Sequence, residues 1–419
     1  MTRNAQLSVR ASLAAAVLAV VLTTVSCSSP PPAPPAGTSS GTASPSSASA
    51  ALQPFDAGTL RTEFERAAKE VMVPGAVVLL QTPDGNLSST YGTGVRGSDR
   101  PVSAEDHIRV GSVTKTWTTT VVLQLVQEGK LALTDPVSKY RPDVPNGDAI
   151  TLEQMMTMRS GLFNYTETLE LNTALDNQPQ RQWKPEELLA LAFAHPAYFA
   201  PGQGFHYSNT NTVLLGLVAE KVEGKPLGQL FKERIFEPLG LKGTLFPDIS
   251  SNSIPEPHPK GYFYGDNVLT MTDPALPGDM QKEAASGALA PNDVTDVNPS
   301  WAWAAGSGIS TAADLKTLGE AMVNGKLLDA ELQKKRLETF FPTKPDDPNG
   351  ASYGLGIAKF GKLYGHTGEL PGFNTFMGSD PSNGVTLIVW TNLAPAADGR
   401  DPAVVIARGL IGQLYRASS

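Results

Sequence analysis

Apolar positions recur along this chain with two periods, and the switches between them mark its elements. Over 55–71 the residues Leu60, Phe64, Ala67, Ala68 and Val71 keep helical spacing, until Pro74-Gly75 stops the run. Residues 76–80 then read as a buried strand. Asp84-Gly85 is a hairpin signal, with a returning strand over 87–92. Val113, Trp117, Val121, Leu125 and Val126 form one apolar helical face, and Gly129 suits the end of that helix. Helical spacing returns over 152–158, 185–193, 212–222 and 227–235. Residues 248–299 are rich in Pro, Gly and Asn and read as a long loop region, followed by a helix over 312–323. From 353 the pattern is that of strands, over 353–360, 362–366, 373–379 and 385–391. An apolar-faced helix over 402–415 closes the chain.

Strands at both ends of a helix-rich middle predict an α/β (α+β) fold. One antiparallel sheet is completed by the two ends of the chain and flanked by helices, with an inserted helical region.

Composition changes this picture mainly at the N-terminus. A chain of 419 residues with 41% hydrophobic residues can build a substantial core. A formal net charge of -8 gives a nucleic-acid partner no electrostatic support. Residues 1–10 carry two arginines and no acid, and a short apolar run over 13–22 follows. Segment 1–27 therefore reads as a secretory signal, too short for a comfortable transmembrane helix. Cys27 is the only cysteine. It stands where a bacterial lipoprotein signal places the residue that becomes lipidated, although Thr24 occupies the position where leucine is usual. The alternative is a secreted protein with an incidental cysteine. Either way the mature domain can hold no internal disulfide. Residues 28–54, dominated by Pro, Ser and Ala, read as a disordered tether, leaving 55–419 as the folded domain.

Three short motifs carry candidate chemistry. Ser112-Val113-Thr114-Lys115 puts a hydroxyl at the mouth of a helix and an amine on the same face one turn later. A hydroxyl becomes a useful nucleophile when a neighbour takes its proton, and a lysine of lowered pKa can do so. Tyr207-Ser208-Asn209 lies in a loop just before an apolar helix, and His366-Thr367-Gly368 at the end of an expected strand. Two other patterns mislead. Gly92 to Gly97 spells G-x-G-x-x-G but no helix follows, and Gly350 to Gly354 spells G-x-S-x-G without the strand-turn-helix a nucleophile elbow needs.

The order S-x-x-K, Y-x-N, H-T-G resembles the serine D-alanyl-D-alanine carboxypeptidases that share the class C β-lactamase fold. The resemblance extends over roughly 55–415 and includes the runs 109–115, 123–131, 158–162 and 207–211. It implies Ser112 as the acylated nucleophile, Lys115 as the aid to proton removal and Tyr207 as a second acid/base. It implies Asn209 on the acyl-side amide of the substrate, His366 in the place lysine holds in K-T-G, and Thr367 on the leaving part. The backbone N–H groups of Ser112 and Glu369 would form the oxyanion hole, with Gly368 between Thr367 and Glu369 on that strand. Trp301 matches an aromatic near the site, whereas His206 reads as structural. No cofactor or metal is implied. The implied partners are a small peptide or acyl substrate, possibly a peptidoglycan stem peptide, and a membrane through a lipid anchor on Cys27, with the chain a monomer.

One departure stands out. Such carboxypeptidases hold the substrate's free carboxylate partly through an arginine after a Gly-Leu-Gly-aliphatic run. Here that run is Gly354 to Ile357 and Ala358 follows it, while Lys359 faces the other side of the strand. The expected activity is hydrolysis through an acyl-enzyme on D-Ala-D-Ala-type peptides or β-lactams. An esterase or other amide hydrolase, and a non-catalytic envelope-binding lipoprotein, are the alternatives.

Overall fold

The computed structural model describes residues 51–415, apart from 345, 346, 348 and 349. The expected signal 1–27 with Cys27, and the tether as far as residue 50, lie outside the described residues. The tether's last residues belong to the packed domain. The Gln53 N–H donates to Leu414 O at 2.8 Å, and Leu52 and Phe55 pack on the core.

An eight-stranded antiparallel sheet organises these residues, and it joins the two ends of the chain. Gly75–Thr82 lies between Gly85–Gly92 and Thr386–Thr391, with Ala76 opposite Thr391 and Gln81 opposite Thr386. Phe373–Ser379, Leu363–Leu370, Ala358–Phe360, Ser352–Gly354 and Phe340–Pro342 follow in that order. Side chains alternate between the two faces of a strand. Along Thr386–Thr391, Leu387 and Val389 join one core with the terminal helices Ala57–Glu70 and Pro402–Leu414. Ile388 and Trp390 join the other core, under the helical middle of the chain. Both faces are covered, so the run reads as almost continuously apolar.

The strand expected over 353–360 is two strands folded on each other, with Tyr353 opposite Ala358. Gly356 turns the chain between them at φ 73°, and a Cβ there would stand 2.0 Å from Thr119 Oγ1. The strand expected over 362–366 continues to Leu370, so His-Thr-Gly lies inside it. Its polar residues hide a strand that main-chain pairing with Phe373–Ser379 sustains. The helix expected over 212–222 begins earlier, at Asn209. That over 227–235 is α-helical only to Phe231 and continues as a π-helical turn, Lys232–Phe236. The long loop region contains a helix, Gly278–Ser286, and two short paired strands, Tyr262–Phe263 and Asn292–Asp293. Helices Leu169–Asn177 and Ala330–Glu338 were not expected; both are too polar for an apolar stripe to stand out, unlike the equally short Pro185–Phe193.

Candidate active site

Ser112 sits in a single 3-10 turn, Gly111–Val113, that feeds the helix Thr114–Gln127. This serine helix is buried almost all round. Thr116, Thr119 and Thr120 survive there because their hydroxyls donate to carbonyls of the preceding turn. Lys115, one turn after Ser112, is fully buried.

Lys115 ties the motifs together. Its Nζ donates to Ser112 Oγ at 2.9 Å, to Asn209 Oδ1 at 2.6 Å and to Ala305 O at 2.8 Å. These use all three hydrogens of an ammonium, and none of the partners is a carboxylate. With no counter-charge to offset it, burial holds the lysine pKa well below its ordinary value.

Asn209 is placed as the first residue of the helix Asn209–Glu223. Its N–H donates to Asn164 Oδ1 at 3.0 Å and its Nδ2 to Thr166 Oγ1 at 3.2 Å. Ser160 Oγ donates to Asn211 Oδ1 at 2.5 Å, so the runs 158–162 and 207–211 lie side by side. Tyr207 precedes them, its ring centre 4.9 Å from Lys115 Nζ. Part of its surface is open, yet the atoms packed around the phenol raise its pKa, and a hydrogen bond with Ser112 only partly offsets this.

The H-T-G strand lies directly against the serine turn. A Cβ on Gly368 would stand 1.9 Å from Val110 O, so only glycine permits this approach. His366 does not reach the cleft as expected. It is buried, its Nδ1 donates to Thr367 O, and its Nε2 lies 2.9 Å from the hydroxyl of Tyr353. Burial, and then the charge of Lys115, lower its pKa to about 3. Thr367 is half-buried and is not among the cleft residues. Glu369 is exposed as a residue, but the enclosure of its carboxyl and then the neighbouring Asp401 push it well above the usual carboxylate range.

A cleft of about 310 Å³ opens beside Ser112. Asn209, Thr166, Trp301, Ala305 and Glu369 line it near the serine, and Leu171, Leu175, Phe263, Met271 and Pro371 form an apolar wall. Trp301 therefore stands where the resemblance implied, with its carbonyl held by the Tyr165 hydroxyl at 2.9 Å. None of the lining residues is arginine, lysine or histidine. Ala358 is buried among Met158 and Tyr353, and Lys359 lies over the ring of Tyr364 at 5.1 Å. His206 meets Glu167 at 3.0 Å and stacks on Tyr198, a structural role. Sequence reasoning missed Tyr353, hidden in the rejected G-x-S-x-G pattern, and the carbonyl of Ala305, which leaves no residue signature.

A buried amine on a serine hydroxyl, a tyrosine beside both and an adjoining cleft define a serine hydrolase of the acyl-enzyme type. The β-lactamase family model matches residues 60–410, and the chain belongs to that family. It is similar to D-alanyl-D-alanine-carboxypeptidase/endopeptidase AmpH of Escherichia coli K12, 33% identical over 172 residues, 39% of this chain and 43% of that protein. It is similar to esterase EstB of Burkholderia gladioli, 29% identical over 220 residues, 49% of this chain and 55% of that protein. The matches to these and other curated relatives cover 61%, 39%, 55% and 43% of their lengths. Among solved structures, a D-stereospecific amidohydrolase from Streptomyces sp. superposes with a TM-score of 0.72 at 31% identity, over 87% of this chain and all of that one.

Proposed function

We propose that this chain hydrolyses amides with a D-configured, peptide-like acyl part, of which D-Ala-D-Ala-type peptides are one case, and that its leaving part needs no free carboxylate. The observation that carries this is the cleft beside Ser112, which no cationic side chain lines. Losing a charge-assisted contact to a carboxylate costs about 1.5–3 kcal/mol. Ala358 carries no charge, and Lys359 lies over the Tyr364 ring and not in the cleft lining. The similarity to the Streptomyces D-stereospecific amidohydrolase supports the choice.

In its neutral form Lys115 keeps its hydrogens on Asn209 and Ala305 and turns a lone pair to the Ser112 hydroxyl. Ser112 Oγ attacks the acyl carbon while its proton passes to Lys115 Nζ. The Ser112 and Glu369 N–H groups are the donors for the resulting oxyanion. Tyr207, held as a neutral phenol, protonates the leaving amine as its bond to the acyl carbon breaks. Water then attacks the acyl-Ser112 ester by the reverse proton path, releasing the acid and restoring Ser112.

A second reading, hydrolysis of esters, is favoured by the apolar wall and the similarity to EstB. The N-terminal sequence supports export and anchoring through Cys27 to a membrane facing the cell wall. Intact mass and turnover distinguish the readings, using D- and L-phenylalanine amides, an acyl-D-Ala-D-Ala peptide, p-nitrophenyl esters and a penicillin. The proposal expects turnover of the D-amide well above the L-amide, and at least that of the acid-terminated peptide. Ser112→Ala should lose roughly 10³-fold or more of it. Turnover of esters alone would establish the second reading, and a strong preference for the acid-terminated peptide would defeat the first.

A further inference from the structure

Tyr353 and His366 form a buried pair that the reaction as written does not use. Tyr353 is 3% exposed and His366 2%. The His366 Nδ1 partner is a main-chain carbonyl, Thr367 O, which can only accept. Nδ1 therefore carries the imidazole proton, and Nε2 presents a lone pair. The Tyr353 hydroxyl, 2.9 Å away, must donate to it. One carbonyl thus sets the tautomer, and the hydroxyl fastens the nitrogen that it leaves bare.

The pair also touches the acid/base. Tyr207 packs edge-on against the Tyr353 ring, with centres 5.8 Å apart at 85°, and lies 6.2 Å from the His366 ring. The other titratable or charged groups around the imidazole are Lys115 on the serine helix and, beyond Tyr353, Arg336 on Ala330–Glu338. Arg336 is fully buried and its Nη1 donates to Thr120 Oγ1 at 2.9 Å. None of these neighbours is a carboxylate, so nothing offers a proton on Nε2 a counter-charge. A positive His366 would also stand close to Lys115, which must stay neutral to receive the Ser112 proton.

We infer that Tyr353 is a positioning residue of this site: its hydroxyl, donating to the nitrogen that Thr367 O leaves bare, holds the neutral His366 ring in place and so gives Tyr207 a fixed and uncharged wall. The inference rests on Tyr207 as the proton donor of the proposed reaction. Removing the hydroxyl leaves Nε2 without a donor and the ring held at Nδ1 alone, so the imidazole can turn and Tyr207 loses its fixed packing.

The full chain, labelled with 15N-histidine, gives a direct reading by NMR. His366 resonances are assigned through their loss in His366→Gln. In the wild type, Nδ1 should carry the proton and Nε2 none, without titration between about pH 5 and 8. In Tyr353→Phe the Nε2 resonance should move away from its hydrogen-bonded position, and kcat on the best amide should fall about 10-fold or more with KM nearly unchanged. A wild-type proton on Nε2 overturns the inference, and so does Tyr353→Phe with an unaltered imidazole and unaltered kcat. Should Tyr353→Phe not fold, the wild-type Nε2 decides: a nitrogen that shows no hydrogen-bonded shift has no Tyr353 partner, and the inference falls. A wild type silent on every acyl donor defeats the catalytic reading, and the positioning role falls with it. An active wild type whose Tyr353→Phe variant is equally active defeats only the positioning role.

Discussion

His366 shows how one side chain can serve a site without facing its substrate. Its folded pKa of about 3 lies below the ordinary 6.5, so between these values the unfolded chain binds more protons than the folded one. Stability is therefore lost as pH falls through that window, by up to about 1.4 kcal/mol per pH unit. Denaturation midpoints measured across it should fall with pH in the wild type and less steeply in His366→Gln. Equal slopes would mean that the imidazole is not held neutral. At this scale the sequence was legible where chemistry needs fixed residue types at fixed spacing. Ser112 and Lys115 are one helical turn apart and hydrogen-bonded, and Asn209 and Trp301 line the cleft beside them. It was not legible where the partner is a main-chain atom or a distant ring. Ala305 O and the Tyr353 hydroxyl are recruited by folding, and nothing in their neighbours' identities announces it.

Between elements, the critical contact is that of the H-T-G strand with the serine turn. Gly368 brings the strand's backbone against Val110 O, and a methyl group there must push the two apart. Gly368→Ala should keep the circular dichroism of the wild type but lose roughly 10² or more in kcat/KM, since displacements near 1 Å cost that much. Full activity with an intact fold would show that the turn and strand do not need this approach. Element boundaries were hardest to read where polar sequence forms regular structure. Thr367 and Glu369 continue a strand that apolar alternation alone would end, and Gly356 breaks a strand whose flanks look continuous. In both places main-chain pairing and tertiary contact outweigh local preference.

At the scale of the molecule, the sheet depends on both ends of the chain, and its outer face depends on the two terminal helices. Leu410, fully buried between them and the sheet, should cost about 2–5 kcal/mol when replaced by alanine. Thermal melting of Leu410→Ala checks this, and a change within 0.5 kcal/mol would show that the helix is not part of the cooperative core. The proposed anchoring through Cys27 belongs to the same scale. Cys27→Ala should move the protein from the membrane fraction to the medium, as read by fractionation and immunoblotting, and an unchanged distribution would argue against lipidation. The joining of both chain ends in one sheet was legible from the placement of the apolar runs. The helices Leu169–Asn177 and Ala330–Glu338 were not, because their sequences are largely polar and packing in the folded chain, not an apolar stripe, sustains them.

The pairing of Ala76 with Thr391 also sets a schedule for folding. The first hairpin emerges early in synthesis, but its central partner strand is made near the very end. Until then the apolar faces carrying Val77 and Val78 have no sheet to join. High contact order slows folding and prolongs exposure of such edges. A chain that crosses a membrane unfolded would meet that delay on the far side, where the nascent hairpin is open to aggregation and proteolysis. Removing residues 386–391 takes away the strand that joins the first hairpin to the rest of the sheet, so such truncations should show no activity in turnover assays.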